Sequence, residues 1–260
     1  MKLTWLGTAA LLLQTDDTTV AVDPFPGLPL HEPIDREIPD RAMFERTDHV
    51  LVTHGHFDHI MFIPALYGEG NCPVYATQTP CRTLESKGFP TGRLHRIAPG
   101  DEFDLGDLQI RTWQGRHCHF DLPLVARTLG SPRSLTHLTR LAKLLRLNRE
   151  YDEAGEILFY EVTDGKTRLQ IMGSLGLDDA TEYPTGADWL ILPYQGRSDL
   201  ADYALPLVER LSPRAVLLDH YDDAFPPMSS AIDTATFEKT VSQRLGIPCR
   251  ALQKYETVDL

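Results

Sequence analysis

Six consecutive residues, His54-Gly55-His56-Phe57-Asp58-His59, place three imidazoles and a carboxylate directly behind the apolar run Val50-Leu51-Val52. That run reads as a buried strand of a parallel or mixed sheet, so the cluster falls where an α/β strand leaves its sheet, in the crevice such folds use for ligands. His54 and His56 keep the two-residue period of a strand and share a side, while the turn through Phe57 carries Asp58 and His59 to a neighbouring point. Two adjacent metal positions follow. Imidazole with a carboxylate suits zinc, with manganese or iron as alternatives, and the mixed nitrogen and oxygen set suits hydrolysis.

A two-metal centre needs further ligands, and two other strand ends supply histidines. Leu108 to Trp113 runs into Gln114-Gly115-Arg116-His117-Cys118-His119, and Ala215 to Leu218 leads through Asp219 to His220. His31, His49, His95 and His137 lack that context and read as surface or structural residues.

The 260 residues, 42% of them hydrophobic, suffice for one domain with a substantial core. A net charge of −12 opposes binding to phosphate backbones and argues against a nucleic-acid partner, leaving a small-molecule substrate. The four cysteines form no Cys-x-x-Cys pair and the start of the chain carries no export-type apolar stretch, from which a reduced, cytoplasmic protein is expected. No run is long enough to span a membrane.

Short apolar strands recur at Lys2 to Leu6, Ala10 to Gln14, Thr18 to Val22, Val50 to Thr53, Val74 to Ala76, Leu108 to Trp113, Ile157 to Val162, Arg168 to Met172, Trp189 to Leu192 and Ala215 to Leu218. Helical patterns cover Thr79 to Lys87, Ser134 to Leu147, Asp199 to Leu211 and Asp233 to Leu245. Two mixed sheets covered by helices satisfy this order, as do other layered α/β arrangements. Residues 121–150 stand apart as a basic helical insertion, with six cations against two carboxylates and a balance of +4, leaving −16 on the rest. Within it Ser134 to Leu147 forms an amphipathic helix, capped by Ser134 or Ser131. It packs on the body or on a second copy in a homo-oligomer, or it covers the metal cleft and attracts anions.

Taken together, the His54 to His59 cluster, His117, His220 and the strand Thr19-Val20-Ala21-Val22 leading into Asp23-Pro24 resemble the metallo-β-lactamase superfamily over almost the whole chain. The resemblance implies a four-layer αβ/βα sandwich of two mixed β-sheets flanked by helices, formed by residues 1–260 as a single domain. It implies one metal site of His54, His56 and His117, with His119 the rival of His117, and a second of Asp58, His59 and His220. Asp23 becomes either a turn residue or an acceptor that orients an imidazole. Where the family commonly places a Gly-Asp whose carboxylate bridges both metals, this chain has Gly173-Ser174, so the second site is expected to bind more weakly. Asp178 and Asp179 are the remaining carboxylates that could reach back.

The segment His220-Tyr221-Asp222-Asp223-Ala224-Phe225-Pro226-Pro227 looks like a branch near the lactonase-like and phosphodiesterase-like members. The implied activity is attack by a metal-bound hydroxide on an ester, lactone or phosphodiester of a small anionic metabolite, with one or two zinc ions per chain. Asp58 would orient the nucleophile or take its proton, and His220, Tyr194 or Arg197 would stabilise the anionic intermediate. A non-catalytic metal or ligand sensor on the same fold is the alternative.

Overall fold

Runs such as Val50-Leu51-Val52 and Leu190-Ile191-Leu192 are apolar at every position, and a strand buries such a run only when both of its faces are covered. The computed structural model, which describes residues 1–31, 33, 38 and 41–260, meets that demand with two seven-stranded sheets. The first contains β1 (Lys2–Gly7), β2 (Ala10–Gln14), β3 (Thr19–Val22), β4 (His49–Leu51), β5 (Val74–Ala76) and β6 (Leu94–Arg96). The second contains β7 (Glu102–Leu105), β8 (Leu108–Gln114), β9 (Leu158–Thr163), β10 (Arg168–Met172), β11 (Trp189–Pro193), β12 (Val216–Asp219) and β13 (Cys249–Ala251). The last strand, β14 (Thr257–Asp259), returns to the first sheet beside β1. The orders are β14-β1-β2-β3-β4-β5-β6 and β13-β12-β11-β10-β9-β8-β7. Each sheet is antiparallel in one half and parallel in the other, from β3 to β6 and from β10 to β13.

Strand alternation distributes side chains among three apolar layers. Leu11, Leu13, Val20, Val22 and Leu51 point into the central layer, where they meet Ile110, Leu158, Tyr160, Ile171, Ile191 and Leu217 of the other sheet. Their neighbours Leu12, Ala21, Val50 and Val52 face the outer layer of the first sheet, and Leu190, Leu192, Val216 and Leu218 that of the second. Each fully buried Leu or Ile contributes roughly 1.5–3 kcal/mol, so both faces of these strands hold the sandwich together.

Helices α1 (Arg41–Phe44), α2 (Phe57–Ile60), α3 (Ile63–Tyr67) and α4 (Gln78–Ser86) lie in the first half. They are followed by α5 (Leu122–Leu129), α6 (Pro132–Thr136), α7 (Leu138–Glu150), α8 (Leu200–Leu211) and α9 (Ala235–Leu245). Phe57, Ile60, Ile63, Leu84 and Leu144 cover the first sheet, while Val208, Leu211, Phe237 and Val241 cover the second. This is the four-layer arrangement. Among the described residues no helix is long and apolar enough to cross a membrane.

Residues 121–150 depart from the single helix expected at Ser134 to Leu147. The helix breaks at His137, whose backbone (φ −123°, ψ 40°) leaves the helical region because Thr136 and His137 turn their side chains back onto the carbonyls of Pro132 and Arg133. Ser131 caps α6, its hydroxyl accepting from Ser134 N at 3.1 Å. A separate helix within the same insertion, α5, precedes them, capped by Asp121, which accepts from Leu124 N.

Candidate metal centre

Functional side chains gather where strands of both sheets end. β4 runs into Thr53 and His54, β3 into Asp23, β8 toward His117, β10 toward Ser174, and β12 into His220. The two sheets are stitched together directly beneath: Leu158 N donates to Thr53 O at 2.9 Å, and the Tyr160 hydroxyl donates to Val52 O at 2.6 Å. Close approach explains two glycines. A Cβ on Gly55 would stand 2.3 Å from Asp152 O, and one on Gly173 would stand 2.4 Å from Leu158 O. Either would force the facing backbone away.

His54, His56 and His117 converge so that one ligand atom from each lies within 4.8 Å of the others, and Asp58, His59 and His220 do the same. In the first group His54 Nε2 and His56 Nδ1 are 3.2 Å apart. In the second, Asp58 Oδ2 lies 3.3 Å from His220 Nε2 and 3.9 Å from His59 Nε2.

Hydrogen bonds behind three of these rings set which of their nitrogens faces inward. The Thr53 hydroxyl has one hydrogen and gives it to Asp23 Oδ2 at 2.5 Å, so toward His54 Nδ1, 3.1 Å away, it can only accept. That fixes the proton on Nδ1 and leaves the lone pair on Nε2. His59 Nδ1 donates to the same Asp23 oxygen at 2.8 Å, and His117 Nδ1 donates to Cys118 O at 2.8 Å, which frees Nε2 on both. Asp23 also accepts from Thr53 N at 2.8 Å, and it is 1% exposed. An imidazole fixed in this way by a carboxylate or carbonyl is a stronger and better aimed ligand.

His220 takes a left-handed backbone (φ +55°) at the end of β12. Its N–H donates to Thr8 O at 2.9 Å, and Thr8 N donates to both oxygens of Asp222 at 3.1 Å. The turn between β1 and β2 thus clamps the loop that presents His220, offsetting a conformation that is costly for a residue with a Cβ.

Electrostatics divide the two groups. Burial, reinforced by the neighbouring imidazoles, holds His54 well below the usual histidine value; burial also lowers His56, and together with His56 it brings His117 to about 4. All three are neutral at pH 7. Burial alone would lower His220 as well, but its hydrogen bond to Asp58 and the charges of Asp58, Asp219 and Asp222 outweigh it, and the group rises to about 9. Burial pushes Asp58 upward, yet His59, His220 and His56 prevail and keep it ionised far into acid.

Five imidazoles and one carboxylate arranged as two triads are the donor chemistry of a borderline-soft divalent ion, and His54, His59 and His117 turn inward nitrogens with free lone pairs toward it. The residues present fit two metal ions.

The model for the beta-lactamase superfamily domain matches residues 18–221, more than three quarters of the chain. The chain belongs to the beta-lactamase superfamily. It is 26% identical over 261 residues to a UPF0173 metal-dependent hydrolase of Desulforamulus reducens, covering 98% of both chains. A UPF0173 metal-dependent hydrolase of Methylobacterium nodulans is 27% identical over 237 residues, with 90% of this chain and 89% of that one covered. Among solved structures, Igni18, a metallo hydrolase from Ignicoccus hospitalis, superposes with a TM-score of 0.66 at 20% identity, covering 99% and 97% of the two chains.

Several other residues singled out in the sequence of this superfamily member lie elsewhere. The His119 ring is exposed and outside both triads, and its carbonyl accepts from Arg197 at 3.1 Å. Arg197 pairs with Asp199 through two hydrogen bonds of 2.5 and 2.8 Å and lies over the Tyr203 ring, so its guanidinium is already neutralised rather than aimed at a reacting anion. Tyr194 borders the cavity, but its ring stacks on Phe237, 4.8 Å between centroids, in the outer layer of the second sheet. Ser174 Oγ accepts from Cys118 N at 3.0 Å and thereby pins the loop carrying His117. Asp178 caps a turn through Thr181 and Ala180, and Asp179 pairs with Arg116 on the surface, so neither reaches the centre. Burial raises the Cys118 thiol to about 12, which makes it a packing residue.

Thr53 escaped the sequence reading although it adjoins His54, because a hydroxyl shows its role only when its acceptor, 30 residues away, is in place. Asp219, buried beside His220 and raised to about 7 mainly by burial, escaped for the same reason.

The opposed histidine shifts have a measurable consequence. In the metal-free chain at pH 7.5 His220 carries a proton that a metal must displace, whereas His54, His56 and His117 carry none. Binding to the second triad should therefore release about one proton and strengthen about tenfold per pH unit up to the His220 value of about 9. Binding to the first should be flat around neutral pH and weaken only in acid, where its histidines, all lowered by burial, take up protons. Calorimetric titration with zinc in buffers of different ionisation enthalpy measures both; equal proton release from the two sites would contradict the assignment.

Proposed function

We propose that this protein is a metal-dependent hydrolase that cleaves ester, lactone or phosphodiester bonds, with zinc as the metal and Asp58 as the proton acceptor. The observation that carries the reading is the pair of triads, His54, His56, His117 and Asp58, His59, His220, side by side on one cavity. The relatives are named metal-dependent hydrolases, which supports the metal-dependent, hydrolytic part of the reading. Bound there, a divalent metal supplies Lewis acidity and lowers the pKa of water from about 15.7 toward about 7.

The chain's own groups then have separable tasks. Asp58 is ionised and nearly buried, and Oδ2 stands within reach of whatever occupies the space between His59 and His220, so it can accept a proton from an attacking water. Asp23 and Thr53 hold His54 and His59 in one tautomer throughout. Phe57 and Phe225, packed edge to face at 5.2 Å between centroids, form an apolar wall that keeps bulk water from the centre.

Zinc, manganese or iron is added to protein of measured metal content, and turnover of p-nitrophenyl esters, γ- and δ-lactones and bis-p-nitrophenyl phosphate is followed. Multiple turnovers that vanish on metal removal are expected. Graded chelation should empty the second triad first, since Ser174 stands where a shared carboxylate would tighten it. Full activity in metal-free protein would exclude the mechanism, and tight ligand binding without turnover would favour the sensor.

A further inference from the structure

The cavity on which the triads open has a volume of about 680 Å³, within the range that encloses a whole drug-sized ligand. It extends beyond the triads beneath the inserted helices. Phe120, with Leu124, Val125 and Leu129 of α5 and Leu141 and Leu145 of α7, forms that part of its wall. α5 is largely apolar and yet none of its residues is buried. Val125, Leu129 and Leu145 are 38, 45 and 43% exposed, and all three border the cavity. A helix with such a face is expected to bury it against something.

Charge argues for what that is. Outside the triads the wall carries Arg127 and Arg197 against Asp199, Asp202 and Asp233, and Arg197 is paired with Asp199. Of the other cations in the insertion, Arg133 pairs with Asp223, Arg146 pairs with Glu150, and Arg140 donates to the carbonyls of Leu28, Pro29 and Pro226. Among the described residues Arg127 is the one cation of the basic segment on that wall, so the segment lines the cavity mainly with hydrocarbon.

We propose that the substrate is an ester or lactone bearing a medium-length alkyl chain on its acyl group, which lies against α5 and α7 while the carbonyl faces the triads. This rests on the hydrolytic reading of the same site. Water adds across the acyl C–O bond: a C–OH bond forms, the C–O bond breaks, and the departing oxygen takes the proton, giving an alkyl carboxylic acid and an alcohol, joined in one molecule when the substrate is a lactone.

Two measurements test it. Straight-chain alkanols from butanol to decanol are titrated against the protein as purified, by displacement of an apolar fluorophore, and kcat/KM is measured for p-nitrophenyl acetate to decanoate on the zinc-loaded protein. Both should rise about fourfold per added methylene until the cavity is filled. Leu129→Asp and Val125→Asp should each flatten the two slopes. Leu122→Asp, on the same helix but off the cavity wall and 84% exposed, should keep them. Flat slopes in the unmodified protein, or slopes unchanged in Leu129→Asp and Val125→Asp, would overturn the proposal even if acetate ester is hydrolysed. An alkanol slope without turnover of any ester or lactone would support the alkyl site and overturn the hydrolytic reading instead.

Discussion

Replacing Asp58 by Asn should lower kcat/KM by about 10²- to 10⁴-fold, the contribution of a positioned general base, and leave metal at the first triad only. Asn keeps the shape of the carboxylate in α2 but neither its charge nor its basicity. The loss of charge also has a signature that a merely structural residue would lack. His220 is raised to about 9 largely by Asp58, against the burial that lowers it. In Asp58→Asn that support disappears, the His220 value falls, and the second metal is lost together with the proton release that accompanies its binding. Elemental analysis, calorimetry in two buffers and steady-state kinetics read the three effects. Activity within tenfold of the unmodified protein, with both metals retained, would remove Asp58 from the mechanism.

Asp23→Ala is expected to damage both the fold and the centre. Its carboxylate accepts from Thr53 N at 2.8 Å, from the Thr53 hydroxyl at 2.5 Å and from His59 Nδ1 at 2.8 Å, all in a buried setting. Truncation leaves these donors without a partner at a cost of about 1–3 kcal/mol for each unsatisfied group. A net loss of about 3 kcal/mol would lower Tm by roughly 10 °C in a chain of this size. Metal affinity should fall about 10- to 100-fold, because neither His54 nor His59 is then held in the tautomer that directs Nε2 inward. Asp23→Asn separates the two effects: its amide oxygen can still accept from Thr53 N, so it should recover part of the stability while metal binding remains weak. Thermal melts with and without zinc measure both, and unaltered affinity in Asp23→Asn would show that the carboxylate only closes a turn.

Much of this architecture was legible because the strongest signals are local. The strands Ala10–Gln14, Val74–Ala76 and Arg168–Met172 have the bounds their apolar runs suggest. The four strands that went unread, β6, β7, β13 and β14, are the edge strands of the two sheets, made largely of exposed or half-buried residues such as Leu94-His95-Arg96 and Thr257-Val258-Asp259. They owe their conformation to pairing with a neighbour, and pairing leaves no hydrophobic period in the strand itself. α5 is only eight residues long, begins at Leu122-Pro123 and buries none of its residues, which leaves its helical repeat too short to stand out.

The sequence by itself determined the chemistry of the donors and their local order. A strand followed by His-x-His-x-Asp-His can place its ligands at only two neighbouring points, since backbone geometry over six residues leaves little freedom. The tertiary structure alone decided that His117 and not His119 joins them, that Thr53 and Asp23 choose the tautomers, that Tyr194 and Arg197 are held by packing and ion pairing, and that the basic insertion turns mainly hydrocarbon toward the cavity. These outcomes depend on sheet pairing and strand-end geometry between residues as far apart as 8 and 220. A contact between such distant residues is set by the summed packing of every strand between them, and no short stretch of the chain encodes it.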